Sequence, residues 1–314
     1  MCESPVVVAL GGNVIAPPER RTSLSVQYER ARGTADHLVH LSGRPLVVTH
    51  GNGPQVGDTL LRADLAAGVL PRLPLDACVA ATQGDMGYML GLGLDNAFRA
   101  AGVRRSAVAL VTRTVVELDD LAFLQPSKPI GEAYDEATAR RRMAADGWAM
   151  REDAGRGWRR VVPSPEPREI VEEGAIRALL ATGTVVIAVG GGGVPVVRRA
   201  DGTLAGVEAV VDKDLASALL ATRIGAEVLM ILTGVEHVAL DFGRPTRRDL
   251  HEVTAAGLAA YARQGHFAPG SMLPKVQAAI GFLGRGGRRA VVTTPELSEK
   301  ALAGEAGTQV LPVG

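Results

Sequence analysis

Lysine is scarce in this chain. Of its 34 basic residues only four are lysine, at 128, 213, 275 and 300, and the others are arginine. Cysteine is scarcer still. Cys2 and Cys78 are too few and too far apart for a disulfide framework or a zinc site, which points to a reducing compartment. Aromatics make up 4%, leaving few platforms on which bases could stack. Acidic residues number 34, equal to the basic ones, so there is no generally basic surface for nucleic acid. No apolar run reaches membrane-spanning length. The run at 6–10 is too short for a secretion signal and has no basic residues before it. These absences describe a cytoplasmic protein without a nucleic-acid or membrane partner. What remains is ordinary globular composition, 46% hydrophobic and 22% charged over 314 residues, enough for one large domain or two lobes.

The shortage of lysine acts as a filter. Where arginine serves as the generic cation, a retained lysine is a candidate for work that a planar guanidinium does badly, such as following a moving phosphoryl group. Lys300 lies in an ordinary helix-surface context, Leu-Ser-Glu-Lys-Ala, and is set aside. Lys213 lies in Val-Val-Asp-Lys-Asp-Leu-Ala-Ser, where a β-branched pair runs into a helix start. A cation is disfavoured there by the helix dipole unless an anion is also bound. Read alone, Asp212 is an N-cap followed by a solvated lysine. Lys275 repeats the pattern: Gly270-Ser271 reads as a helix start, with Pro274 in the first turn and Lys275 directly after it. Lys128 sits in Ser-Lys-Pro-Ile-Gly, within a polar stretch.

Short β-branched runs alternate with helical patterns. Strands are expected at 5–10, 45–49, 106–112, 184–189, 228–232, 237–240, 290–293 and 309–311. Helices are expected at 27–41, 54–67, 76–101, 166–181, from 213 to Gly225, and near 247–263 and 270–284. A hairpin is expected over 196–211. Residues 113–163, which hold both tryptophans and a turn at 152–157, interrupt the rhythm and read as a projecting lid. The alternation predicts an α/β fold with a mainly parallel sheet, whose ligands bind at the carboxyl ends of the strands.

Three strands end in glycine: Gly11-Gly12-Asn13, Gly51-Asn52-Gly53 after His50, and Gly190 to Gly193. Such loops let backbone N–H groups approach an anion. One cluster is most simply a turn; three at strand ends favour an anion site. Neither a P-loop nor a dinucleotide fingerprint fits, because no lysine follows the clusters and the glycine spacing is wrong. His50 has two readings, a hydrogen bond to a loop carbonyl and a catalytic role, of which the first is slightly favoured. His37 and His40 lack a third ligand, so no metal site is expected.

Read together, these stretches resemble carbamate kinases of the amino acid kinase family. The resemblance rests on Val8-Ala9-Leu10-Gly11-Gly12-Asn13, Thr49-His50-Gly51-Asn52-Gly53-Pro54-Gln55-Val56-Gly57, Gln83-Gly84, Lys128-Pro129-Ile130-Gly131, Gly157-Trp158-Arg159-Arg160-Val161-Val162-Pro163-Ser164-Pro165, Gly190 to Pro195, Asp212-Lys213-Asp214, and Phe267-Ala268-Pro269-Gly270-Ser271-Met272 with Lys275. It implies a three-layer αβα sandwich with an open, mainly parallel sheet and a projecting lid subdomain. An acceptor-binding lobe would cover 1–207 and a nucleotide-binding lobe 208–314.

The implied reaction is reversible phosphoryl transfer between ATP and carbamate, giving ADP and carbamoyl phosphate. In cells it usually serves to make ATP at the end of arginine or purine breakdown. The implied partners are ATP/ADP, Mg²⁺ held mainly by nucleotide phosphates, and a second copy in a homodimer. Lys128, Lys213, Asp214 and Lys275 would be catalytic, with Asp214 holding the lysines. Gly11, Gly12, Asn13, Gly51, Asn52, Gly53, Gly191, Gly192 and Gly193 would cradle the acceptor and the transferring group. Thr233, Ala268, Gly270, Ser271 and Met272 would join Lys213 and Lys275 at the nucleotide. Three departures from the family pattern stand out: Gly234 in place of aspartate, Glu132 in place of proline, and Asp85 in place of an apolar residue. They keep open a kinase of another small carboxylate or carbamate, and a non-catalytic nucleotide or metabolite sensor on the same fold.

Overall fold

In the computed structural model, residues 3–15, 23–152 and 157–312 are described, apart from the side chain of Asn13. The turn expected at 152–157 lies largely outside them.

The chain is organised around Val6–Leu10, whose five residues are all fully buried. It pairs in parallel with Leu46–His50 on one side and Val228–Leu232 on the other. The full sheet has eight strands: Glu252–Thr254, Thr308–Leu311, Arg289–Thr293, Val228–Leu232, Val6–Leu10, Leu46–His50, Val185–Ile187 and Ala107–Ala109. From Arg289–Thr293 to Ala107–Ala109 all neighbours are parallel; Thr308–Leu311 is antiparallel to Arg289–Thr293 and carries Glu252–Thr254 in its own direction.

Successive side chains of a strand point to opposite faces, and the central strand divides accordingly. Val7 and Ala9 join one core with the helices Glu173–Ala181, Lys213–Ile224, Ala255–Arg263 and Met272–Gly284. Val6, Val8 and Leu10 join a second core with Leu24–Leu38 and Leu75–Ala100. Strands buried on both faces read as unbroken apolar runs, which is why they were legible. The result is the expected αβα sandwich.

A four-stranded sheet, in the order Leu204–Gly206, Val194–Arg198, Arg113–Val115, Glu169–Ile170, lies beside the main one. It takes the start of the polar stretch 113–163. The projecting three-stranded unit therefore begins later, with Lys128–Tyr134, Met150–Glu152 and Trp158–Val162 around the helix Glu136–Asp146. It has a small core of its own, Ala139, Trp148 and Met150. Its base packs Ile130 and Val162 against Val56, Leu60, Val194 and Val210. At that seam Gly57 and Gly131 touch so closely that a Cβ on Gly57 would lie 2.0 Å from the Gly131 Cα.

Two expected helices begin late. Residues 166–172 are not helical: Pro167 keeps the residue before it extended, and Glu169–Ile170 pairs with Thr114 and Val115. Likewise Arg248–Leu250 pairs with Val238–Leu240, and Glu252–Thr254 pairs with the last strand. The helix then starts at Ala255, capped by the Thr254 hydroxyl, which accepts from the Gly257 N–H. In the hairpin, the returning strand is Leu204–Gly206 and not 207–211.

Candidate active site

The strands ending at Leu10, His50, Ile187 and Leu232 are neighbours and parallel, so their carboxyl ends share one edge of the sheet. All three glycine clusters and Thr233 follow these ends. The ladder continues briefly into the loops: Gly11 N–H donates to the Leu232 carbonyl at 2.8 Å and Gly51 N–H to that of Leu10 at 3.0 Å.

The helix Lys213–Ile224 aims its N-terminus at the same edge. Asp212 caps it, its Oδ1 accepting from the N–H groups of Asp214 at 2.9 Å and Leu215 at 3.4 Å. Ser217 Oγ donates to the Lys213 carbonyl and shares a 2.6 Å hydrogen bond with Thr49 Oγ1, which ties the first turn to a central strand. The Gly190 to Gly193 loop fills the remaining gap, with φ values of 64°, 90° and 87° at 191, 192 and 193. A Cβ on Gly190 would meet the His50 ring at 2.5 Å, and one on Gly192 the Val211 carbonyl oxygen at 2.4 Å. These glycines are therefore needed for protein packing, whatever else they hold.

Three of the four lysines converge here. Lys213, the first residue of its helix, is 7% exposed, and its ammonium pairs with Asp214 Oδ1. Lys275 Nζ reaches the other oxygen of Asp214 at 3.0 Å and the Ser271 carbonyl at 3.3 Å. Lys128, from the three-stranded unit, pairs with Asp212 Oδ2. Asp214 thus bridges two ammoniums, and the cluster holds three cations against two carboxylates. Burial pulls the Lys213 pKa down, with Asp214 opposing and Lys275 adding to the fall. Burial works against the Asp214 carboxylate too, but the two ammoniums outweigh it and hold its pKa well below the usual range. Buried ion pairs are a poor route to stability, and an excess of cations beneath converging backbone loops suits an anion.

Among the described residues the cluster contains no unpaired carboxylate. His50 is 1% exposed, its Nδ1 lies 3.3 Å from the Gly51 carbonyl oxygen, and burial followed by the Lys213 charge pushes its pKa down to about 4. It is a neutral structural ring, as the sequence suggested. Both carboxylates are engaged by ammoniums. Among the described residues neither carboxylate of the cluster is left unpaired, an arrangement that suits an acceptor arriving already ionised.

Asn52 is buried and donates from Nδ2 to Thr82 Oγ1 at 2.8 Å. Thr233 is half-buried, and Gly234 opens onto space, with nothing within 4 Å of where a Cβ would be. Ala268, Gly270 and Ser271 are exposed, and the helix that follows begins at Met272, one residue beyond Ser271, which makes no side-chain cap. Asn13 lies in the four-residue helix Gly12–Ile15, its side chain outside the described residues. Glu132 falls in a bulge between Ile130 and Ala133. Asp85 is exposed on the outer face of its helix.

The sequence did not reveal the second duty of Asp212, or the frame under the loops. Gln83 exchanges hydrogen bonds with the backbone of Thr112, Thr112 Oγ1 accepts from the Val189 N–H, and Thr114 Oγ1 donates to the Gly192 carbonyl. Among the described residues, no three His, Cys, Asp or Glu side chains form a metal site. Two surface cavities, of about 510 and 400 Å³, contain none of the candidate residues.

The profile of the Amino acid kinase family matches residues 4–294. The carbamate kinase of Thermococcus kodakarensis is 47% identical, over 98% of either chain. The carbamate kinase-like protein YahI of Escherichia coli is 46% identical over the same shares. Among solved structures, the carbamate kinase from Giardia lamblia bound to AMP-PNP superimposes with a TM-score of 0.90 at 42% identity, covering 99% of both chains.

Proposed function

The chain belongs to the amino acid kinase family, and from that premise we propose that it is an ATP-dependent carbamate kinase, interconverting ATP plus carbamate with ADP plus carbamoyl phosphate. The observation that carries the reading is the lysine–aspartate cluster at the carboxyl edge of the sheet, with spare positive charge and, among the described residues, no unpaired carboxylate. Carbamate is already an oxyanion, so transfer to it needs positioning and charge neutralisation and no proton abstraction.

Within this reading Lys213 and Lys275 neutralise the transferring phosphoryl group and the leaving oxygen. Asp214 holds the two ammoniums apart and in place. Lys128 approaches from the three-stranded unit, which acts as a lid over the acceptor. The glycine loops after Leu10, His50 and Ile187 supply backbone N–H donors. The nucleotide lies against Thr233, Ala268, Gly270, Ser271 and Met272, where the surface is open. The residues fit Mg²⁺ only as an ion carried on the nucleotide phosphates, since both nearby carboxylates are taken by lysines; there it would screen the phosphate charge.

The same reading includes a homodimer and a cytoplasmic setting. A dimer is supported by the uncovered edge strand Ala107–Ala109, beside which Tyr88, Leu92, Val108 and Val111 are exposed. Among the described residues no helix is long and apolar enough to cross a membrane.

The test is ATP formation from ADP, Mg²⁺ and carbamoyl phosphate, with Lys213→Ala and Lys275→Ala in parallel. A folded protein without turnover, or with both variants matching the parent, would sink the proposal. Turnover with another carboxylate and not with carbamate would move the assignment to a sister activity, and tight ADP binding without turnover would make the protein a sensor.

A further inference from the structure

We propose that Asp212 is a positioning residue: it latches the three-stranded unit to the helix Lys213–Ile224 and so sets the Lys128 ammonium over the anion site. Nothing in the sequence distinguishes this aspartate from an ordinary N-cap. The structure gives its two oxygens separate tasks. Oδ1 is held by the N–H groups of Asp214 and Leu215, which fixes the plane of the carboxylate. Oδ2 is left to accept from Lys128 Nζ.

Lys128 opens the strand Lys128–Tyr134 and stands opposite Val162. Around it the unit packs on the body through the apolar Ile130 and Val162, and Val210 N–H donates to the Pro163 carbonyl at 2.9 Å. Neither sets where an ammonium on a long flexible stem comes to rest. A further charged contact, Arg160 to Asp64 at 3.7 Å, reaches the helix Gly53–Ala66 and not the lysine cluster. The Asp212 pair is thus a charged link that runs directly from the lid strand to the helix bearing Lys213. Because Asp212, Lys213 and Asp214 are consecutive, the latch places all three ammoniums in one neighbourhood.

The kinetic part rests on the carbamate kinase reading, while the latch itself does not. Asparagine caps a helix about as well as aspartate, so Asp212→Asn keeps the cap and removes the charge. Asp212→Ser, also a good cap, serves if asparagine fails to fold. With full-length Asp212→Asn, amide hydrogen exchange over 128–134 should accelerate severalfold, while exchange over 213–224 stays at the parental rate. In the carbamoyl phosphate assay kcat should fall roughly tenfold or more, as expected for a misplaced charge. The KM for carbamoyl phosphate should not rise, because losing a carboxylate leaves the site more attractive to an anion. Lys128→Gln combined with Asp212→Asn should be no slower than Lys128→Gln alone, since a residue that acts through another adds nothing once that partner is gone. Unaltered exchange over 128–134, or single-variant losses that multiply in the double variant, would overturn the latch. If the parent shows no turnover, the functional proposal fails and the exchange measurement alone decides the latch.

Discussion

Asp214 is the residue whose removal the structure weighs most heavily. Asp214→Asn conserves shape and withdraws one charge from between two ammoniums. Asp214 Oδ2 stands 3.0 Å from Lys275 Nζ, and Oδ1 is paired with Lys213 Nζ. At an effective dielectric of about 20, a pair at such a distance is worth roughly 5 kcal/mol before desolvation is subtracted. Lys213 and Asp214 are both almost wholly buried. Removing one partner leaves a buried cation uncompensated and facing a second cation, a situation that costs about 3–5 kcal/mol. Against a total stability of roughly 5–15 kcal/mol, that is a visible shift in a urea or thermal unfolding curve.

The pH dependence supplies the sign. Burial already lowers the Lys213 pKa and Asp214 opposes that fall, so the variant drops it further. Between the folded and unfolded pKa values of this lysine the unfolded chain binds more protons, so stability rises with pH. The deficit of Asp214→Asn relative to the parent should therefore narrow from pH 7 to pH 9, while turnover remains strongly impaired throughout. A stability loss below about 1 kcal/mol, or a deficit that widens with pH, would show that the cluster is not the buried, mutually dependent charge array described above.

Three other outcomes follow from single contacts. His50 is neutral in the fold, with a pKa near 4 against an ordinary value of 6.5; between those values the unfolded chain takes up a proton the fold refuses, so acidification should remove roughly 3 kcal/mol, a slope that His50→Gln flattens in unfolding titrations. Gly57→Ala would drive a Cβ into the Gly131 backbone and should lower stability by about 1–3 kcal/mol while raising the KM for carbamoyl phosphate; an unchanged melting curve would refute the tight seam. Burial first, then neighbouring carboxylates, push the Cys78 thiol up to about 11, so in a Cys2→Ser background thiol reagents should label the chain only on unfolding, and rapid native labelling would contradict that burial.

The sequence by itself determined the central sheet and singled out the lysines worth following. Val6–Leu10, Leu46–His50 and Val228–Leu232 are buried on both faces, so their apolar runs could be nothing but inner strands. Scarcity of lysine singled out the same three ammoniums that converge, and strand-end glycines marked the edge they converge on. Tertiary contact decided the rest. Glu169–Ile170 and Glu252–Thr254 became strands because partners in distant parts of the chain were waiting for them, a fact that local propensity does not contain. The glycines at 190–193 are required by His50, Asn52, Val211 and Thr114, none of them near in sequence. The two roles of Asp212 divided in the same way. Its cap is a local hydrogen bond to residues two and three ahead, written in the order of amino acids, whereas its pairing with Lys128 spans 84 positions and exists only once the sheet has brought the two together.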